Sequence, residues 1–158
     1  MDFLQLLDSH YQKYESSCSP SLIEILLKSE GLVPLDWFEE QKKHKGENVG
    51  LKPYLNQTLY GATIRRVQDA PIPANSLVER IDYLLAQGKA LGIYLPNLDD
   101  SGSSHGWAIY GIENGNYVAG SKNWDSRTGI GRETEVVEIE PAYLKRLPDI
   151  DCIYLEVK

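Results

Sequence analysis

The stretch HGWAIYGIENGNYVAGSKNW, residues 105–124, reads as two β-strands folded back on each other. Asn114-Gly115 lies between two apolar runs, and Asn-Gly is the strongest short hairpin signal because both central residues of a type I′ turn need positive φ. A two-residue turn there pairs Glu113 with Asn116. If pairing continues without interruption, His105 falls opposite Trp124, and its diagonal neighbours are Asn123 and Asp125.

Other strands follow from composition and alternation. They are YGATIRRV (60–67), ALGIYLP (90–96), ETEVVEI (133–139) and CIYLEV (152–157). Helices precede most of them. Residues 2–11 set Phe3, Leu4, Leu7 and Tyr11 on one face. A second helix opens at Ser19-Pro20, with proline suited to a first turn. Leu22, Ile23, Ile25, Leu26 and Leu27 nearly encircle it, so it should be buried, and Gly31 ends it. Asp36 and Glu39 suggest a capping box for a short helix carrying Trp37 and Phe38. Ser76 and Glu79 suggest another, for a helix that Gly88 stops. PAYLKRL (141–147) reads as one or two helical turns. Residues 40–59 are polar and irregular, the kind of connection that often forms a flap beside a cleft. The expected fold is α+β: one domain over 1–158, with N-terminal helices packed on a mostly antiparallel sheet.

The totals exclude several classes. The chain has 158 residues, 42% apolar and 25% charged, and a net charge of −7. A nucleic-acid or anionic-membrane footprint needs clustered Lys and Arg. The one basic run, Lys42-Lys43-His44-Lys45, is flanked by Glu39, Glu40 and Glu47 and reads as a solvated loop. No apolar run approaches the ~18 residues of a membrane span. MDFLQLLDSHYQK lacks the positive region of a secretory signal. Two cysteines make no disulfide framework, so a reducing, cytoplasmic setting is expected, or export by a leaderless route. There is no zinc spacing and no Gly-rich phosphate loop, so no cofactor or metal is expected. Asp99-Asp100 read as solvated loop carboxylates.

Cys18 stands where the buried helix begins. At a helix N-terminus, unpaired N–H groups and the helix dipole favour a thiolate. His105 follows a small, flexible loop and opens a strand, which would present an imidazole at a cleft edge as a base. Asn123 or Asp125 carries the acceptor that would orient its ring. Gln12, six residues before Cys18, is close enough to aim its amide at the same oxyanion. His10 and His44 read as surface residues, one on the polar side of a helix and one in a charged loop. Cys152, among apolar residues in the last strand, reads as a buried structural cysteine.

Gln12, Cys18, His105 and then Asn123 or Asp125, in that order, resemble the papain-like cysteine peptidase superfamily. HGWAIYGIENGNYVAGSKNW resembles the papain-type pattern of His, apolar strand, Gly, hairpin and Lys-Asn-Ser-Trp, here without the Ser. LLAQGKALGIYL, the His105 strand and DSRTG also resemble the compact bacterial branch that includes bacteriocin leader peptidases. There the ending is Asp-Pro-x-x-Gly; here Ser126 replaces the Pro. Ser17 and Ser19 replace the Gly, Asp or Trp common beside the nucleophile. The resemblance implies that Cys18 attacks an amide of a peptide or protein substrate, His105 exchanges the proton, and Gln12 with the Cys18 N–H binds the oxyanion. Asn123 would orient His105 by the papain-type match, with Asp125 as the rival. Deamidation or acyl transfer, as in bacterial effectors, would use the same residues through the same thioester. A non-catalytic protein-binding module on the same fold is the alternative outside enzymology.

Overall fold

The computed structural model describes residues 2–14, 17–96, 104–122 and 134–157. Among them the helices are α1 (Phe3–Ser9), α2 (Cys18–Ser29), α3 (Glu39–Lys43), α4 (Leu77–Ala86) and α5 (Pro141–Lys145). The strands are β1 (Thr58–Leu59), β2 (Ala62–Arg66), β3 (Leu91–Pro96), β4 (Ser104–Glu113), β5 (Asn116–Ser121), β6 (Glu135–Ile139) and β7 (Cys152–Val157). The strands form one sheet in the order β1-β2-β7-β3-β4-β5-β6, and every neighbouring pair is antiparallel. The architecture is α+β.

Each face of the sheet has its own core. Leu6, Leu22, Leu26, Ala62, Ala108 and Leu155 pack together on the α1–α2 face. Ile81, Leu84, Ile93, Leu95, Trp107 and Tyr117 pack on the α4–α5 face. A layer of helices on either side covers both pleat faces at the middle of the sheet, which is why β3 reads as an apolar run rather than as an alternation.

Local sequence accounts for the helix ends. Gly31 has φ +70°; its N–H donates to Lys28 O, and Leu32 N–H donates to Leu27 O, which together close α2 in a Schellman motif. Gly88 closes α4 in the same way, at φ +80°. The Ser76 hydroxyl oxygen accepts from Glu79 N–H at 3.2 Å and caps α4 at its start. Asn114 and Gly115 have φ of 52° and 80°, the conformation a type I′ turn requires, and Glu113 pairs with Asn116.

Four expectations are corrected. The hairpin register slips between Ile109 and Gly111, so Ala108 pairs with Gly120 rather than with Ser121. A β-bulge adds one residue to β4, and the uninterrupted count that set His105 against Trp124 does not hold. The Asp36–Glu39 capping box does not form: α3 starts at Glu39, and Phe38 is its N-cap without a side-chain bond. The two aromatics are held outside the helix by packing. Phe38 stacks on His10 at 5.3 Å, with the Lys28 ammonium 3.9 Å from its ring centre, and Trp37 meets the edge of Tyr60.

His10 is buried, not on a polar surface. Its Nδ1 lies 2.8 Å from Lys28 Nζ, and its Nε2 lies 2.8 Å from Ser21 Oγ. Burial, then the Lys28 charge, hold its pKa well below the usual value, so the ring is neutral and accepts from the ammonium. The basic run is not a simple loop either, because Lys42 and Lys43 form the last turn of α3. His44 there lies 3.1 Å from Glu47 and 3.7 Å from Glu40. Residues 40–59 also anchor the core through Leu51 and Tyr54.

Candidate functional site

Cys18 is the first residue of α2 and is partly exposed. Its position depends on how closely α2 lies on the sheet. Leu22, one turn further on, rests over two glycines. A Cβ on Gly92 would stand 3.1 Å from Leu22 Cδ2, and one on Gly106 would stand 3.2 Å from it. Gly92 and Gly106 lie on neighbouring strands, so the missing side chains form a shallow seat for the helix. The seat brings the Cys18 sulfur to Tyr94 of β3, whose hydroxyl donates to Sγ at 3.3 Å. Tyr94 Oη is also hydrogen-bonded to Ser19 Oγ. Burial, and then the neighbouring Cys18, push the Tyr94 phenol above its ordinary pKa, so it keeps its proton.

The sulfur borders an open depression of about 260 Å³. Cys18, Ser19, Tyr94, Asp151 and residues 48–51 line it. The polar segment 40–59 therefore does border the cleft.

The segment that enters α2 is held from below by Gln41 of α3, which is fully buried. Gln41 Nε2 donates to Tyr11 O at 3.0 Å and to Glu24 Oε1 at 2.6 Å. Its Oε1 accepts from Lys13 N–H at 2.7 Å and lies 2.8 Å from Ser17 Oγ. Its backbone N–H reaches Glu24 Oε2 at 3.1 Å. Gln12 lies within this clamped segment, is buried, and donates from Nε2 to Tyr14 O at 2.7 Å.

His105 is the second residue of β4 and pairs with Leu95 of β3. The β3–β4 ladder runs without interruption from Leu91↔Ile109 to Pro96↔Ser104, so the pleat assigns faces strictly. Gly92, Tyr94, Gly106 and Ala108 face α2. Leu95, His105, Trp107 and Ile109 face α4. Cys18 and His105 therefore stand on opposite faces of the sheet, and among the described residues no hydrogen bond joins them. Asn123 and Asp125, like Asp99 and Asp100, lie outside the described residues. Cys152 is fully buried between β2 and β3, and burial pushes its thiol pKa up.

Sequence reasoning missed two residues of this neighbourhood. Tyr94 carried one signal, as the only aromatic in ALGIYLP, on the same pleat face as Gly92. Gln41 carried none, since its partners lie 17 to 30 residues away in the chain. Among the described residues, no group of three or more His, Cys, Asp or Glu is placed to hold a metal ion, and no helix is long and apolar enough to cross a membrane. Comparison with protein-family models, with curated proteins and with solved structures gives no match.

Proposed function

We propose that the chain is a papain-like thiol hydrolase that attacks an amide carbon of a peptide or protein through Cys18. The observation that carries this reading is the contrast between the two cysteines. Cys152 is sealed in the core, whereas Cys18 opens a buried 12-residue helix, borders a cleft and receives a hydrogen bond at its sulfur. First-turn N–H groups favour negative charge at that sulfur.

In this reading Cys18 Sγ bonds to the carbonyl carbon and the C=O π electrons move to oxygen. The Cys18 N–H and the Gln12 amide are the donors for that oxyanion. His105 carries the proton to the leaving amine. The papain-type match favours Asn123 over Asp125 as the orienting partner of His105. The reading requires His105 to turn to the α2 face. A one-residue slip at the start of β4 achieves that, because each slip inverts the pleat. Deamidation and acyl transfer are further outcomes of the same thioester.

A second reading, a protein-binding module without catalysis, is favoured by one observation: the pleat that puts His105 across the sheet from Cys18. Iodoacetamide labelling of the native protein over a range of pH separates the two. The hydrolase requires stoichiometric labelling of Cys18, with a pH profile that moves in His105→Ala, and turnover of an amide substrate that is lost in Cys18→Ala. Labelling of Cys18 only after denaturation excludes the hydrolase. Equal partner binding by wild type and Cys18→Ala, without turnover, establishes the module.

A further inference from the structure

We infer that Tyr94 is a further catalytic residue of this site, a phenol donor that holds the Cys18 sulfur and favours its charged form. The inference rests on Cys18 being the nucleophile. Its geometry is independent of His105, since Tyr94 already lies on the Cys18 face of the sheet.

The phenol has one proton and, among the described residues, two hydrogen-bond partners, Cys18 Sγ and Ser19 Oγ. Ser19 can give its own hydroxyl proton to the phenol oxygen, which leaves the phenol proton for sulfur. The direction of donation is then Ser19 to Tyr94 to Cys18. A neutral thiol is a weak acceptor and a thiolate a strong one, so such a donor stabilises the charged sulfur selectively.

Tyr94 is fixed along its length. Its backbone N–H donates to Asp151 O at 3.0 Å. Its ring passes beside Gly106, where a Cβ would come within 3.6 Å of Cζ. A donor held in this way needs no reorganisation when charge forms at the sulfur. The balance is simple. When Sγ bonds to the carbonyl carbon, sulfur loses its charge to the oxyanion and the phenol keeps its proton. When the thioester is hydrolysed, sulfur leaves with the electron pair and the phenol hydrogen bond reforms. Tyr94 therefore assists both the thiolate before attack and the thiolate as leaving group, and no proton departs from it in either step.

The test is the pH midpoint of native-state iodoacetamide labelling at Cys18, read with the thiolate absorbance, in wild type, Tyr94→Phe and Ser19→Ala. Circular dichroism and the thermal midpoint report on folding. Tyr94→Phe is expected to raise the labelling midpoint by about one pH unit, and Ser19→Ala by less in the same direction. A folded Tyr94→Phe with an unchanged midpoint overturns the inference. If that variant does not fold, an unchanged midpoint in Ser19→Ala overturns it equally. The two levels separate cleanly. Midpoint shifts without amide turnover in wild type sustain the hydrogen bond and defeat the hydrolase, whereas turnover with unshifted midpoints does the reverse.

Discussion

Ser17 Oγ and Gln41 Oε1 meet at 2.8 Å across 24 residues of chain, and that contact ties the entry of α2 to α3. The rest of the Gln41 side chain extends the tie to Tyr11, Lys13 and Glu24. Gln41→Leu keeps the volume and removes every side-chain bond at once. Ser17 and Glu24, both buried, and the half-buried Tyr11 and Lys13 are each left with one bond fewer, which is expected to cost about 3 kcal/mol. Urea unfolding checks this: the midpoint should fall while the slope stays constant.

Glu24 makes stability depend on pH. Its burial raises the carboxyl from 4.5 to about 7, against the Gln41 hydrogen bonds and the Lys28 charge. Between those values the folded chain holds more protons at Glu24 than the unfolded chain. The contribution is therefore complete below the ordinary value and is lost as pH rises through about 7. Lys28, lowered to about 8 by burial, and His10, held below its usual value, act with the opposite sign. Both bind fewer protons when folded, so both favour the folded state more as pH rises. Glu24→Gln removes the first contribution, and with it the carboxylate that holds Lys28 up against its burial. Relative to wild type the variant should gain stability as pH goes from about 4.5 to about 7, on the order of 3 kcal/mol. Thermal midpoints across pH measure the difference, and a flat difference refutes the assignment.

The two cysteines should label in separate phases. Cys18 is partly exposed, whereas Cys152 is fully buried with its thiol pKa raised. Mass analysis after iodoacetamide treatment is expected to find one label, on Cys18, in the native protein and two in denaturant. Native labelling of Cys152 would show that β7 opens on the timescale of the reaction.

Gly92 and Gly106 should resist substitution where Gly111 does not. A Cβ at Gly92 would meet Ile153 Cγ1 at 3.0 Å and Leu22 Cδ2 at 3.1 Å; at Gly106 it would meet Leu22 at 3.2 Å; at Gly111 it would meet nothing within 4 Å. Alanine at either of the first two lifts α2 from its seat, at a cost of about 1–3 kcal/mol. Gly111→Ala should be close to neutral. Side-by-side urea midpoints decide it.

What was legible in the sequence was local. Asn114-Gly115, the glycine ends of α2 and α4, and the Ser76 cap each depend on a few consecutive residues, and each folds as read. The bulge at Tyr110 was not legible, because a register slip depends on how the facing strands pack rather than on the turn that starts them. His10 was misread for a similar reason: its neighbours in sequence are polar, but α2 and Phe38 close over it. In the candidate site, the setting of Cys18 followed from its place at a helix start. Its partner Tyr94 did not, since only the sheet order brings β3 beneath that helix end.

The last strand lies in the middle of the sheet. β2 bonds to β7, β7 bonds to β3, and among the described residues no other strand joins the two parts. As the chain is synthesised, β1–β2 and β3–β6 can each pair within themselves, but each keeps a bare edge until residues 152–157 emerge. The bed on which α2 rests is complete only then, because Ile153 is part of it. Assembly of the Cys18 neighbourhood is thus timed by its most distant strand. Such long-range closure is slow compared with local pairing, and until it occurs the exposed edges of β2 and β3 are the places where the chain is most open to mispairing.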